Sequence, residues 1–191
     1  TWDGFTVQNG QMAGDGAGAY LREKVRLSHC KVRNNVSVDN DGGGVYCYYS
    51  TLEDCDIEGN TCSYNGGGVY AYQSTVSNCR ITNNTANYGG GVYLSYGAKL
   101  LSCRISHNQS AYDGGGVHAY ASSAQIRNCL VDNNTAGTSS NNSLGGGVYG
   151  GGTLVNTTIV RNLSVVAGAG VYGFNDASVT NCIVWGNIVL D

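Results

Sequence analysis

The sequence contains no proline, a single methionine and few charged residues. Charged side chains make up 12% of the 191 residues, and the formal net charge is −3. A chain without an excess of basic residues cannot neutralise a phosphate backbone, which argues against nucleic-acid binding. Apolar runs also stay well short of the roughly 18 residues that cross a bilayer. We therefore expect no membrane insertion by this segment.

Glycine and asparagine are abundant instead. Glycine contributes 30 residues and asparagine 21. Glycine costs about 1 kcal/mol at an interior helical position, and asparagine competes for hydrogen bonds with its own backbone. This composition disfavours long helices and argues against a helical enzyme.

Six of the eight cysteines mark a sequence repeat. These are Cys30, Cys55, Cys79, Cys103, Cys129 and Cys182. The first five follow one another at intervals of 25, 24, 24 and 26 residues, and the sixth lies two periods further on. Such regularity indicates one structural position that is used in successive repeats.

Stacked cysteines at this position would hold their Cβ atoms parallel rather than converging. We therefore interpret them as free thiols that pack as small hydrophobes, with disulfide bridging or metal binding as the alternative. Thr157 takes the same position in one repeat, which favours packing. Cys47 and Cys62 lie outside this register, and a disulfide between them is left open.

Each repeat carries three short strand patterns. The unit 66–88 begins with a glycine run and continues with strand patterns over 69–72, around Val76 and over 79–82. A propeller blade would need four strands and about 40 residues, and a leucine-rich repeat would show a leucine framework. The pattern therefore predicts an all-β, single-stranded parallel β-helix of about seven coils of roughly 24 residues, with three short strands per coil.

Several motifs resemble those of right-handed parallel β-helix repeat proteins. They are GFTVQNG near the start, the repeated GGGVY, NC-x-I-x-N-N and the closing NCIVWGN. More narrowly, they are similar to bacterial surface proteins of the chlamydial polymorphic outer-membrane type. The resemblance covers nearly the whole chain and implies a secreted or surface-displayed protein, extracellular or on the outer cell surface. Adhesins, pectate-lyase-like enzymes and phage tailspikes share this scaffold, so the fold alone assigns no reaction.

The repeat organisation and the resemblance together predict one domain. We expect residues 1–191 to form a single β-helix domain that is a segment of a longer surface protein. The one sizeable departure from the repeat is 136–144, whose serine, asparagine and threonine content predicts a mobile hydrophilic insertion loop.

A second periodic position holds asparagine in every coil. Its members are Asn35, Asn60, Asn84, Asn108, Asn134, Asn162 and Asn187. An asparagine that faces into a solenoid turn can donate and accept along the stack. We therefore interpret the glycosylation sequons at Asn35, Asn108 and Asn162 as buried ladder positions.

Aromatic residues recur on the outer side of the first strand. The candidate ligand-binding residues are Tyr46, Tyr48, Tyr70, Tyr72, Tyr93, His118, Tyr120, Tyr149 and Tyr172. Apolar rings with hydroxyl rims suit contact with sugar rings or with another protein. The alternative is that tyrosine simply protects a sheet face, because it pairs well along strands.

Catalytic signals are weaker. The tyrosine positions hold no acidic pair, and His118 is the one residue that replaces tyrosine in the first outward slot. A tyrosine–histidine proton-transfer pair makes His118 the candidate catalytic residue of a polysaccharide lyase. Asp39 and Asp41 could bind calcium through oxygen ligands, with an ordinary polar turn as the alternative. We expect no other metal or cofactor.

The outer positions of the third strand change character along the chain. Early coils stack opposite charges in two columns, Lys31 with Asp56 and Arg80 and, beside them, Arg33 with Glu58, which predicts a solvated face with salt bridges. The second column continues outward with Thr82, Ser106 and Asp132. Late coils carry apolar residues, and this patch suggests contact with further sequence or a partner. That patch comprises Leu130, Val160, Ile183 and Trp185.

Both ends of the predicted solenoid lack a polar cap, so we expect flanking domains or stacked chains there. The leading interpretation is a non-catalytic extracellular or cell-surface module, adhesin-like or a stalk or passenger segment, with a tyrosine face for a polysaccharide or a host or cell-surface protein. The alternatives are a polysaccharide lyase or hydrolase on the same scaffold and a purely structural, self-assembling rod.

Overall fold

A computed structural model describes residues 1–137, 143–173 and 177–190 of the chain. These residues form a right-handed parallel β-solenoid of about seven turns, with about 25 residues per turn. The predicted β-helix is therefore confirmed. Nowhere in the described part of the chain is there a helix with the length and apolar character needed to cross a membrane.

Each coil contributes one strand to each of four parallel sheets, which we number along the coil. Sheet 1 comprises Ala19–Arg22, Val45–Tyr48, Val69–Tyr72, Val92–Ser95, Val117–Ala119, Val148–Gly150 and Val171–Gly173. Sheet 2 comprises Trp2–Asp3, Arg26–Ser28, Thr51–Glu53, Thr75–Ser77, Lys99–Leu101, Gln125–Arg127, Thr153–Val155 and Ser178–Thr180. Sheet 3 comprises Thr6–Gln8, Lys31–Arg33, Asp56–Glu58, Arg80–Thr82, Arg104–Ser106, Leu130–Asp132, Thr158–Val160 and Ile183–Trp185. Sheet 4 comprises Gln11–Met12, Val36–Ser37, Thr61–Cys62, Thr85–Ala86, Gln109–Ser110, Thr135–Ala136, Leu163–Ser164 and Ile188–Val189.

Sheet 4 is an addition to the three strands per coil that the repeat predicts. Its strands are two residues long, which is too short for an alternating pattern to be visible in the sequence. Each of them connects the turn after sheet 3 to the next glycine run. The coil is therefore a four-sided path rather than a three-sided one.

Single residues in the left-handed region make the corners between sheets. Asn78 (φ 52°) separates sheet 2 from sheet 3, and Asn83 (φ 57°) separates sheet 3 from sheet 4. Asparagine tolerates this conformation better than most residues. Other coils place His107 or Arg161 at the second corner with φ near the same value, so position in the coil overrides residue preference.

The seven periodic asparagines form a continuous ladder of hydrogen bonds inside the solenoid. Asn84 is typical and fully buried. Its Oδ1 accepts the backbone N–H and the Nδ2 of Asn60 at 2.9 and 3.0 Å. Its Nδ2 donates to Oδ1 of Asn108 at 3.0 Å and to the carbonyl of Ile57 at 3.1 Å. Each buried amide thus satisfies backbone groups that the turn would otherwise leave unpaired.

The third glycine of each run makes room for this ladder. A Cβ on Gly68 would lie 2.9 Å from Nδ2 of Asn84 and 2.7 Å from the carbonyl oxygen of Gly91. Equivalent glycines, such as Gly44 against Asn60 and Gly91 against Asn108, show the same 2.9 Å approach. The glycine runs and the asparagine positions are therefore two halves of one packing arrangement.

The periodic cysteines also form hydrogen bonds, in addition to packing in the core. Each thiol donates to the carbonyl two residues earlier, with Sγ–O distances of 3.0 to 3.3 Å. The backbone N–H of Cys79 donates to Sγ of Cys103 at 3.4 Å. Thr157 makes the same two contacts through Oγ1, to the carbonyl of Val155 at 3.1 Å and from the N–H of Cys129 at 3.4 Å. A hydroxyl can therefore replace the thiol in one coil.

Cys47 and Cys62, whose pairing the sequence left open, are both buried free thiols. Cys47 faces the core from sheet 1, and Cys62 lies in sheet 4. Burial raises the pKa of the Cys62 thiol to about 11. Both belong to the interior packing of the solenoid rather than to a covalent link.

The outer side of sheet 3 is only partly a solvated ionic face. Arg80 contacts Asp56 at 2.9 Å and Glu58 at 3.6 Å. The prediction that Thr82, Ser106 and Asp132 share that exposure is wrong, because all three are buried. They follow one another in strict register on adjacent strands, and short side chains in such a file are shielded by their neighbours.

The last coil exposes apolar residues both on the outer side of sheet 3 and at positions that belong to the core in earlier coils. Ile183 and Trp185 on the outer side of sheet 3 are 61% and 72% exposed. Val179 and Val184, which align with the buried Leu154 and Ile159 of the previous coil, are also exposed. No described residue packs a further coil against them.

We expect Asn84→Ala to destabilise the protein strongly. The substitution removes the acceptor of the buried N–H of Asn60, at about 1–3 kcal/mol for the orphaned group, and it also removes the side-chain donor to the carbonyl of Ile57. Urea unfolding measures the loss. The exposed neighbour Thr85→Ala is the control and should change stability by less than about 0.5 kcal/mol. Equal losses for the two variants would contradict the ladder's role.

A second comparison tests the hydrogen-bonding role of the cysteine position. Thr157→Val keeps the shape of the side chain but removes its hydroxyl, so we expect a loss of about 1–3 kcal/mol in unfolding free energy. Thr157→Cys restores a donor and an acceptor and should be closer to wild type. If the valine variant is as stable as the cysteine variant, packing alone explains the position.

Candidate functional site

The outward position of sheet 1 carries an aromatic ring in each of its seven strands. We call this file the tyrosine column, which comprises Tyr20, Tyr46, Tyr70, Tyr93, His118, Tyr149 and Tyr172. Neighbouring ring centroids lie 4.7 to 5.6 Å apart. The spacing of stacked parallel strands, about 4.8 Å, places the rings at stacking distance.

Stacking decides which parts of the column are accessible. The four tyrosine–tyrosine contacts are within 9° of parallel, so the ring faces cover one another. Two of the predicted ligand-binding residues, Tyr93 and His118, are only 9% and 6% exposed. Burial raises the pKa of Tyr70, and its hydroxyl stays a neutral hydrogen-bond donor and acceptor.

A second group of rings lies beside the column and is more open. We call it the outer tyrosine cluster, which comprises Tyr48, Tyr49, Tyr72, Tyr96 and Tyr120. Ring centroids are 5.0 Å apart from Tyr48 to Tyr72, 5.1 Å from Tyr72 to Tyr96 and 6.5 Å from Tyr96 to Tyr120. The last two contacts are tilted by 45° and 55°, which leaves parts of the ring faces uncovered.

Two members of this cluster were not predicted from the sequence. Tyr49 and Tyr96 follow their sheet 1 strands and occupy a corner with φ of 50° and 45°. Tyr96 lies next to Ser95, which is the residue in register with Tyr72. Counting every second residue of a strand passes over such corner residues. A second aromatic residue directly after the strand, which recurs in two coils, was the signal that could have predicted them.

A cavity of about 290 Å³ opens where histidine replaces tyrosine in the column. Its wall consists of Asn65, Tyr88, Tyr93, Asp113, His118, Tyr120 and Tyr149. Tyr88 meets the His118 ring edge-on, with centroids 5.7 Å apart, and Tyr149 is tilted from it by 52°. The smaller imidazole and these tilts interrupt the parallel stack and leave the space.

Histidine in this wall is a neutral, incompletely paired group. Burial lowers the pKa of His118 to about 4, and a hydrogen bond to the backbone of Asp113 opposes this shift only in part. Its Nδ1 has no hydrogen-bond partner among the described residues. At neutral pH the ring therefore presents a buried polar atom whose bonding capacity is unused.

Carboxylates flank the tyrosine column from the loops before sheet 1, although none occupies a position of the column itself. Asp15, Asp41 and Asp113 each lie just before a glycine run. Oδ1 of Asp113 accepts the N–H of Leu144 at 2.9 Å, and burial raises the pKa of its carboxyl group. Oδ1 of Asp41 accepts the N–H and Nδ2 of Asn65 at 3.0 and 2.9 Å. These acids therefore organise the loops beside the rings.

The calcium hypothesis for Asp39 and Asp41 stays a prediction. Asp39 is exposed, and one oxygen of Asp41 is already engaged by Asn65. Among the described residues, no three histidine, cysteine, aspartate or glutamate side chains are grouped so that they could hold a metal ion.

The predicted insertion loop 136–144 lies partly outside the described residues, at 138–142. Its ends are anchored rather than free. Ser143 is buried, and its hydroxyl donates to the carbonyl of Ala136 at 3.0 Å. The hydroxyl of Ser164 donates to the carbonyl of Ser143 at 2.9 Å.

Comparison with known proteins identifies the repeat pattern. A family model described as "Right handed beta helix region" matches residues 2–162. Neither the curated proteins nor the solved structures give a significant match.

The lowered pKa of His118 predicts a pH-dependent stability. Unfolding returns the pKa from about 4 to its ordinary 6.5, so the unfolded chain binds more protons between these values. Stability from this group is full above pH 6.5 and falls as pH drops to 4, by about 3 kcal/mol. Urea unfolding between pH 7 and 4 should show this fall, and His118→Tyr should remove it. His107→Asn, at an exposed corner, should retain it; identical profiles for wild type and His118→Tyr would contradict the assignment.

Proposed function

Because this chain belongs to the right-handed β-helix family, we propose that it is a non-catalytic module of an extracellular or cell-surface protein, adhesin-like or part of a stalk, and that it binds a polysaccharide. The proposed binding surface is the outer tyrosine cluster together with the His118 cavity. The observation that carries the proposal is the cavity, where aromatic rings and polar side chains line one wall.

The chemistry of the cavity suits a sugar ring. Sugars combine apolar C–H faces with hydroxyl groups, and protein sites for such ligands pair aromatic surfaces with a few placed polar groups. Tyr88 and Tyr120 supply ring surface. His118 and Asp113 add polar side chains to the same wall.

The outer tyrosine cluster extends this surface along the solenoid axis. Tyr96 and Tyr120 are 53% and 55% exposed, and Tyr49 is 42% exposed. Because the strands stack about 4.8 Å apart, the cluster offers a regular row of rings to a linear chain. A polymer with a repeating ring structure matches this periodicity better than an irregular protein surface does.

A polysaccharide lyase or hydrolase is the second candidate, favoured by one observation. His118 is neutral at pH 7 and its ring lies 4.7 Å from that of Tyr149, so it could accept a proton from a bound substrate. The cavity wall includes one carboxylate, Asp113, whereas glycoside hydrolysis ordinarily uses two. We therefore place binding ahead of catalysis.

The exposed last coil supports a further part of the proposal. Val179 and Val184 occupy core positions but remain about half exposed. Covering them removes apolar surface from water at roughly 25 cal/mol per Å². We propose that a flanking domain or a stacked chain packs there, as in a stalk.

A glycan array tests the binding function. We expect binding to one class of polysaccharide, weakened about fivefold by Tyr120→Ala or Tyr96→Ala because each ring contributes about 1 kcal/mol. Trp185→Ala removes a still more exposed ring from sheet 3 and is the control.

The alternatives give distinct outcomes in the same assay. Release of unsaturated sugar ends that depends on His118 would replace binding by lyase activity. No array binding together with concentration-dependent lengthening of particles would favour a structural rod. Equal weakening by Trp185→Ala and Tyr120→Ala would contradict the assignment of the surface.

A further inference from the structure

A second cavity, of about 450 Å³, lies at the other end of the outer tyrosine cluster. Its wall consists of Arg22, Glu23, Lys24, Tyr48 and Tyr49. Tyr48 and Tyr49 belong to the proposed binding surface, and the other three residues are charged.

An unusual turn holds the charged residues in place. Glu23 and Lys24 are consecutive residues in the left-handed region, with φ of 58° and 67°. Their N–H groups donate to the carbonyls of Tyr48 and Tyr49 at 2.9 and 2.8 Å. The turn is thereby fixed on the next coil, directly beside the two rings.

The cavity is cationic in a molecule whose net charge is negative. Arg22 is the one arginine or lysine within the described strands of sheet 1, and its guanidinium carbon lies 5.8 Å from the centroid of the Tyr48 ring. It pairs with Glu23 at 3.1 Å, but both side chains are more than 60% exposed, so solvent screens this pair. Lys24 makes no salt bridge with any described residue, and the group carries a net charge of +1.

Carboxylates lie at the opposite end of the sheet 1 strands. Asp15 and Asp41 precede the strands Ala19–Arg22 and Val45–Tyr48, whereas Arg22 ends its strand and Glu23 and Lys24 follow it. The cationic group is thus separated from these acids by the length of a strand. From Tyr48 to Tyr120 the rings span three coil spacings, or roughly 15 Å.

We propose that the Arg22 cavity is a subsite for an anionic group, a carboxylate or a sulfate ester, on the saccharide that the tyrosine face binds. The inference rests on the proposed function and adds the ligand class to it. Arginine and lysine beside an aromatic ring supply charge-assisted hydrogen bonds to the anion while the ring contacts the adjoining sugar. A linear acidic polysaccharide lies along the rings, with this end anchored.

Three polymers with one backbone test the inference: dextran, carboxymethyl-dextran and dextran sulfate, compared by biolayer interferometry at 0.15 M salt. We expect an anionic polymer to bind at least about tenfold more tightly than dextran. The double variant Arg22→Gln/Lys24→Asn should abolish this preference, and asparagine suits the left-handed corner. Glu23→Gln should increase it, because it removes the competing carboxylate. Preference for only one of the two anionic polymers identifies which anionic group is bound.

The control is Lys99→Gln/Arg127→Gln, which removes the same charge from sheet 2. It should keep the preference; an equal loss there would mean that only net charge matters and would overturn the inference. Equal binding of all three polymers, still weakened by Tyr120→Ala, overturns this subsite and leaves the proposed function standing. No binding of any polymer together with an empty glycan array overturns both.

Discussion

The asparagine ladder is the interaction on which the rest of the molecule depends. Six of its seven side chains are at most 1% exposed, and each bonds to the asparagines of both adjacent coils where these exist. An unpaired buried amide is costly, so a slip of one coil against the next would break several of these bonds at once. The ladder therefore holds the coils in register, and the glycine that faces each asparagine is the steric condition for it.

Strict register has consequences at every other position of the coil. It aligns the thiols, so that backbone N–H groups find sulfur acceptors, and it aligns the aromatic residues of sheet 1 at stacking distance. Where all residues in a file are tyrosine, the rings are nearly parallel. Where the file contains His118, the stack tilts and a cavity opens. The candidate site is thus a local interruption of a regular structure, flanked by loops that Asp113 and Asn65 organise.

The repeat was predictable because periodic spacing of cysteine, asparagine and glycine leaves few alternatives for the fold. Sheet 4 was not, since two residues show no alternation. The burial of Asp132 depends on neighbours in adjacent coils rather than on its place in the strand. Tyr49 and Tyr96 lie at corners whose backbone turns them back toward the rings, and Asp15, Asp41 and Asp113 reach the column through the path of the loops. Strand patterns carry none of this information.

Hydrogen exchange of the asparagine side-chain amides tests the central claim most directly. The Nδ2 protons of Asn60, Asn84, Asn108 and Asn134 donate within a buried ladder, so NMR should show them exchanging only through global unfolding, with protection that follows the unfolding free energy. Exchange at the rate of an exposed asparagine such as Asn181 would show that the ladder does not hold the coils together. The register that stacks the rings of the tyrosine column would then need another cause.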